Sequence, residues 1–288
     1  LEDEHEISPL PLTENYRSNE TIVEFARQGG YPADLESVAP SLRLRLLDAP
    51  TEEPEDWPDS LVWTPEWDYV LDPDQPTVAF IYDDQEWSSQ WNQFEAEAVA
   101  SLVVALRSRL AAALSGQIDP RTGEAVPEPD FALMSDEQFW NQGVGVVTPH
   151  RAQQALVVSA LQRGFPTVPG ELIRGAVDTV ERFQGQERDV IFVSYALGDV
   201  DAIREEEEFL LGFNRFNVAI SRARTKVVVL ASAQVVEHLS DDVTTLRGSK
   251  LLKLYTNSFT NCERGMALPY RDRNGDEQEV SGQFRWRE

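Results

Sequence analysis

Cysteine is almost missing from this chain. Cys262 stands alone among 288 residues, which excludes an internal disulfide framework and any multi-cysteine metal site. Histidine is nearly as scarce, and His5, His150 and His238 lie too far apart in sequence to suggest a metal cluster. No stretch approaches the roughly 20 apolar residues needed to span a bilayer, so no membrane partner is expected. Nor does the start of the sequence show a basic region followed by an apolar run, the mark of a secretory leader. These absences together give the expectation of a cytoplasmic protein. Lysine is short as well: of 25 basic residues only Lys226, Lys250 and Lys253 are lysines, against 50 acidic residues and a net charge of −25. A field of that sign opposes contact with a polyanion, which leaves two readings: a generally acidic, salt-adapted surface with binding confined to a local groove, or no polyanion binding at all.

What the chain does contain is concentrated between Val177 and Ala231. Ala176–Val180 is a short apolar run, followed by a polar loop with Gly185, and then by the apolar run Val190–Ala196. Two such runs around a compact polar loop read as buried strands of a parallel sheet. Ligands of such sheets gather at loops leaving the carboxyl ends of strands, and Thr179–Asp189 reads as one. From Glu207 to Arg224, the residues Phe209, Phe213, Phe216, Ile220 and Ala223 recur at helical spacing, predicting one helix with an apolar stripe. Arg215 and Arg222 share another face of it. Lys226–Ala231 then reads as a further buried strand. The fold class expected is α/β, a parallel sheet flanked by helices.

The two segments V-D-T-x-x-x-F-Q-G-Q-E-R-D and N-V-A-I-S-R-A-R, in that order with a strand between them, resemble motifs V and VI of superfamily 1 helicases. More narrowly, they are similar to those of the second RecA-like domain in the branch that contains the nonsense-mediated-decay helicase. Asn15–Ser18 (N-Y-R-S) resembles the motif that opens this domain, and T-P-H-R-A-Q at Thr148–Gln153 resembles its motif IV, with His150 in place of the usual tyrosine. The resemblance covers about residues 13–47, 77–115 and 143–255. It implies a RecA-like sheet of the P-loop NTPase type. It also implies ATP and Mg²⁺ as cofactors, and as partners single-stranded DNA or RNA and a first RecA-like domain of the same polypeptide. No G-x-x-x-x-G-K-[ST] occurs, so the chain lacks its own P-loop, and the Mg²⁺ ligands are expected on that first domain.

By the same resemblance, Tyr16 stacks on the adenine, Arg17 reaches the γ-phosphate, and Arg222 is the arginine finger. Gln184 and Gly185 shape the loop that carries Glu187 to the ribose. Thr148, Arg151 and Thr179 are the expected contacts to nucleic-acid phosphate. The residues alone leave other readings open. Glu187 could pair with Arg188 or Arg182, Thr179 could satisfy a buried backbone group, and Arg222 and Arg224 could complement a helix dipole. The preferred reading of Arg224 is structural, on carbonyls at the helix end.

In chain order, residues 1–12 read as a connecting segment, 13–258 as the RecA-like domain, and 259–288 as a polar tail or small hairpin around R-N-G-D. Residues 48–76 and 115–136 read as loop insertions. The first is rich in tryptophan (Trp57, Trp63, Trp67), a candidate protein-binding patch or else a loop packed on the core. Expected elements include a helix opening after Asn19, a strand at Thr77–Tyr82, a helix at Trp91–Leu114, a strand at Val144–Val147 and a helix to about Arg163. Helices at Ala233–Leu239 and Leu246–Tyr255 complete the set. The functional expectation is the C-terminal motor domain of an ATP-dependent helicase or translocase. The alternative is a non-catalytic RecA-like adaptor within a larger nucleic-acid repair or defence protein.

Overall fold

The structure is a computed structural model that describes residues 13–50, 52–113, 131–180, 182–183 and 185–288. Strand β1 (Glu14–Asn15) pairs in parallel with β2 (Glu36–Ser37), and helix α1 (Glu20–Gln28) lies between them in sequence. Helix α2 (Pro65–Leu71) precedes β3 (Thr77–Tyr82), which leads to α3 (Gln93–Arg107). A small antiparallel pair follows, β4 (Ala111–Ala113) with β5 (Phe131–Leu133), then the short turn of helix α4 (Asp136–Gln138). Next come β6 (Val144–Val147), α5 (Arg151–Gly164), α6 (Gly170–Ala176), β7 (Val177–Asp178) and β8 (Arg188–Ser194). Helices α7 (Val200–Glu205), α8 (Glu207–Leu210) and α9 (Phe213–Ile220) run into β9 (Ala223–Ser232). The chain continues through α10 (Ala233–Glu237) and α11 (Val243–Leu254) to the hairpin β10 (Cys262–Arg271) and β11 (Glu277–Trp286).

Among the described residues, one seven-stranded sheet organises these elements in the order β10-β11-β3-β9-β8-β6-β7. The five strands from β3 to β7 run parallel. Their near-continuous apolar sequence follows from burial on both faces. Because successive side chains alternate across a strand, Val78, Phe80, Val190, Phe192, Val228 and Leu230 join one core with α3 and α5. Ala79, Ile81, Ile191, Val193, Val227 and Val229 join the other, with α1, α9 and α11. This is an α/β RecA-like arrangement.

Several local expectations change. The single helix foreseen over Glu207–Arg224 is two helices, α8 and α9, because Gly212 takes an extended conformation (ψ 121°) between them. Strand β9 begins at Ala223, where the backbone finds a ladder partner in Arg188. The run Ala176–Val180 forms only the two-residue edge strand β7, and β6 separates it from β8. Helix α3 stops at Arg107 rather than Leu114, and its chain turns into β4. Part of the second insertion, residues 115–130, lies outside the described residues.

The tryptophan-rich stretch 48–76 is core rather than loop alone. Trp67 is fully buried on Phe80 at 4.6 Å between ring centroids, and Trp57 packs edge-on against Trp63 at 4.7 Å. Lys226 reaches from β9 to the end of α2, its Nζ donating to the carbonyls of Tyr69 (2.7 Å) and Asp72 (2.8 Å). Residues 262–286 form a hairpin of ten pairs whose second arm joins the sheet against β3. Gly282 is required at that junction, since a Cβ there would lie 2.1 Å from the Ile81 carbonyl oxygen. No helix among the described residues is long and apolar enough to cross a membrane.

Candidate functional site

The segment before α1 is placed by its own polar side chains. Asn15 Oδ1 accepts from the backbone N–H of Arg17 (2.9 Å) and of Ser18 (2.8 Å), a local turn that asparagine favours. Ser18 Oγ donates to the carbonyl of Ala223 at 2.7 Å, and Asn19 Nδ2 donates to that of Thr225 at 2.9 Å. Asn19 Oδ1 meanwhile caps α1 by accepting from Ile22 N. The turn is thereby pinned to the start of β9, with Tyr16 and Arg17 at its tip. Tyr16 is 75% exposed, a ring face open to a ligand.

Arg17 meets Glu187 and the turn before β9. Its Nε lies 2.9 Å from Glu187 Oε2, and its Nη1 donates to the Ser221 carbonyl at 2.8 Å. Arg222 occupies the same turn, with Nε donating to Val218 O at 3.2 Å and Nη2 to Ser221 Oγ at 3.4 Å. The loop carrying Glu187 is tied in through Arg188 N, which donates to the Arg222 carbonyl at 3.0 Å. Burial, and then the positive charge of Arg17, hold the Arg222 guanidinium below its ordinary pKa. Two cations thus share one place with a single carboxylate. Gly185 has φ +88° with open space around it, a conformation that side chains rarely adopt. Gln184 lies outside the described residues.

The other three expected contacts lie elsewhere. Thr148 follows β6 and Thr179 follows β7, side by side, with Thr148 N donating to Asp178 O at 3.2 Å. Asp178 Oδ1 accepts from Thr179 N at 2.8 Å, and Arg151 is exposed at the first residue of α5. Thr148 itself is wholly buried, and its Oγ1 has no hydrogen-bond partner. It faces a small cavity lined by Tyr195, Phe209, Arg215 and Phe216. His150 sits half-buried near Phe209 and 3.6 Å from Glu206, and desolvation holds its pKa down.

These contacts define two clusters at opposite ends of the sheet. The loop after Thr179 does not stay at the carboxyl ends of the strands. It runs back to the amino end of β8, so Glu187, Arg222 and Arg17 sit one strand length from Thr148, Arg151 and Thr179. Seven residues of strand make that on the order of 20 Å. Arg224 differs from its expected place at helix carbonyls. It lies on β9 with Nη1 3.4 Å from Asp189 Oδ1, and burial pushes the Asp189 carboxyl up to about 6 despite that cation. Sequence reading missed Asn15, Ser18 and Ser221 as the groups that hold the arginines in place. The N-x-x-S spacing of the first two was the available signal.

The RecA-like sheet thus carries paired arginines and a glutamate at the amino ends of its strands. The family model of an AAA domain matches residues 1–234, and the chain belongs to that family, the helicase domain of the nonsense-mediated-decay-helicase-like branch of superfamily 1. It is similar to the DNA polymerase alpha-associated DNA helicase A of Saccharomyces cerevisiae, 25% identical over 271 residues, which cover 90% of this chain and 31% of that protein. It is 32% identical to the probable RNA helicase armi of Drosophila melanogaster over 97 residues, 32% of this chain and 8% of that protein. With helicase sen1 of Schizosaccharomyces pombe it shares 33% identity over 102 residues, 35% of this chain and 6% of the other. The chain therefore spans less than a third of the length of each of these relatives.

Proposed function

We propose that this chain is the C-terminal motor domain of an ATP-dependent helicase or translocase, acting with a first RecA-like domain of the same polypeptide. The observation that carries this reading is the convergence of Arg17, Glu187 and Arg222, the first two of which are 170 positions apart in sequence. Two adjacent guanidiniums, each raising the electrostatic cost of the other, are a poor arrangement in isolation and a good one for a polyphosphate. The residues present fit ATP on that ground. When bound, ATP supplies the phosphoanhydride bond to be broken, with Mg²⁺ held by the first domain.

In this reading Arg222 is the arginine finger and Arg17 a second cation on the terminal phosphate, both stabilising charge that develops during cleavage. Glu187 accepts from the ribose hydroxyls, Gly185 lets its loop turn, and Tyr16 offers a stacking face for the base. Gln184 is assigned to the same loop. Arg151 and Thr179, at the other end of the sheet, meet the phosphates of a single strand in the same reading. Thr148 would join them only if the Phe209 wall over it moves. Closure of the two domains on nucleotide then shifts the strand relative to one of them.

The test is single-strand-stimulated ATP hydrolysis by the full-length protein, wild type against Arg222→Ala. A fall on the order of 10³-fold with nucleotide still bound is expected. Unchanged turnover would remove Arg222 from the reaction, and a wild type with no turnover on DNA or RNA would overturn the motor reading in favour of the adaptor.

A further inference from the structure

Arg17 and Glu187 form an ion pair with side chains 30% and 50% exposed. Water could solvate either residue, so burial does not force them together, and such a pair contributes little to folding. Its position is what matters. The carboxylate lies against one of two guanidiniums that meet at a single turn, Arg17 on the Ser221 carbonyl and Arg222 on the Ser221 hydroxyl. Among the described residues, the hydrogen-bond partners of the Arg222 guanidinium are the Val218 carbonyl and that hydroxyl, so Glu187 is the anion that offsets the paired charge.

We propose that Glu187 is a resident counter-anion, which holds Arg17 in the absence of nucleotide and must release it to an incoming phosphate. The proposal rests on the reading of Arg17, Arg222 and Glu187 as half of a nucleotide site. Its consequence is a coupling between the two ends of the ligand. A molecule with phosphates and no sugar takes Arg17 away from Glu187 and leaves the carboxylate with nothing in exchange. A nucleotide replaces one ion pair by two contacts, guanidinium to phosphate and carboxylate to ribose hydroxyl. Once the terminal phosphate has left, Glu187 can retake Arg17, which favours the emptied state of the half-site. Glu187 therefore selects against free polyphosphate as well as for ribose.

The probe is inorganic tripolyphosphate, which has no ribose. Its affinity is measured by displacement of a fluorescent nucleotide from the full-length protein, for wild type, Glu187→Gln, Arg17→Gln and the double variant. A residue that only binds ribose leaves tripolyphosphate affinity unchanged when replaced. A resident counter-anion makes the Glu187→Gln protein bind it about two- to fivefold more tightly, the range an exposed pair supports, and that gain disappears in the Arg17→Gln background. Affinity unchanged or weakened by Glu187→Gln overturns the proposal. So does a gain that survives without Arg17, since that would be a general charge effect. The site reading fails separately: if Arg17→Gln alters neither ATP nor tripolyphosphate binding, there is no phosphate at Arg17 for Glu187 to compete with.

Discussion

Arg17 reaches Ser221 across 204 positions of sequence, its Nη1 donating to the Ser221 carbonyl at 2.8 Å while its Nε faces Glu187. The planar fork of a guanidinium can satisfy both acceptors and still present an edge outward. A lysine ammonium is a point charge and must choose among them. We expect Arg17→Lys, which keeps the charge, to lower kcat for ATP by about 10- to 100-fold, and Arg17→Ala to lower it by about 100- to 1,000-fold, the usual range for loss of an oriented charge-stabilising donor. Wild-type turnover by the lysine variant in a steady-state assay would show that charge alone suffices and that the fork geometry is irrelevant.

Arg151 stands exposed at the start of α5, a strand length away from that pair. A cation bound to a strand phosphate releases counterions, so its loss changes the salt dependence of binding in a countable way. For Arg151→Ala we expect weaker single-strand affinity for all sequences alike. The slope of log affinity against log salt should fall by about 0.7, the value for one phosphate on a single strand. ATP affinity in the absence of nucleic acid should stay unchanged, because the two clusters are separated by the sheet. A titration series at several salt concentrations that gives parallel lines for the two proteins would take Arg151 off the strand.

The parallel strands and the helices beside them were legible because their signals are local. Thr77–Tyr82 and Val144–Val147 are unbroken apolar runs of strand length, and both form strands with those bounds. The helix after His150 shows its period within a dozen residues, and it forms. What was not legible depends on distant partners. Ala223 continues a helical stripe in sequence, yet the ladder to Arg188 claims it for a strand. That the tryptophans of residues 48–76 pack onto the core was readable, but that Trp67 does so from a helix against Phe80 was not. The division of the site into two ends of the sheet was hidden for the same reason. Thr179 and Glu187 are eight residues apart, and only the three-dimensional path of that loop shows that it crosses the length of β8.

The hairpin offers a paired test with glycine. Gly282 faces the Ile81 carbonyl so closely that an added Cβ would sit 2.1 Å from its oxygen and 2.7 Å from Tyr82 Cα, both backbone atoms that move only if β3 and β11 part. Gly265, on the other arm, has nothing within 4 Å of the same construction. Gly282→Ala should therefore cost about 2–3 kcal/mol, in the range of other overpacked sites. Gly265→Ala should be near neutral or gain about 0.5 kcal/mol through the unfolded chain. Urea unfolding of the two variants checks this, and equal midpoints would mean that β11 does not lie against β3 in the register described.

Lys226 makes the last prediction, through pH. It is fully buried on β9, and desolvation lowers its pKa to about 7, with Asp72 and Asp74 working weakly in the opposite direction. Its Nζ nonetheless donates to the Tyr69 and Asp72 carbonyls, so the group is useful as a donor and costly as a charge. A lysine whose folded pKa is below its unfolded one binds fewer protons when folded, and stability then rises with pH between the two values. The window here runs from about 7 to about 10.5. Over pH 7.5 to 9.5 the stability of the wild type should therefore rise relative to Lys226→Met by on the order of 2 kcal/mol, at about 1.4 kcal/mol per pH unit as an upper limit. Taking the difference between the two proteins cancels the titration of the many carboxylates, which are shared. Denaturant unfolding at three pH values decides it. A flat difference would mean that Lys226 keeps its charge in the folded protein, and that water reaches the junction of α2 with the sheet.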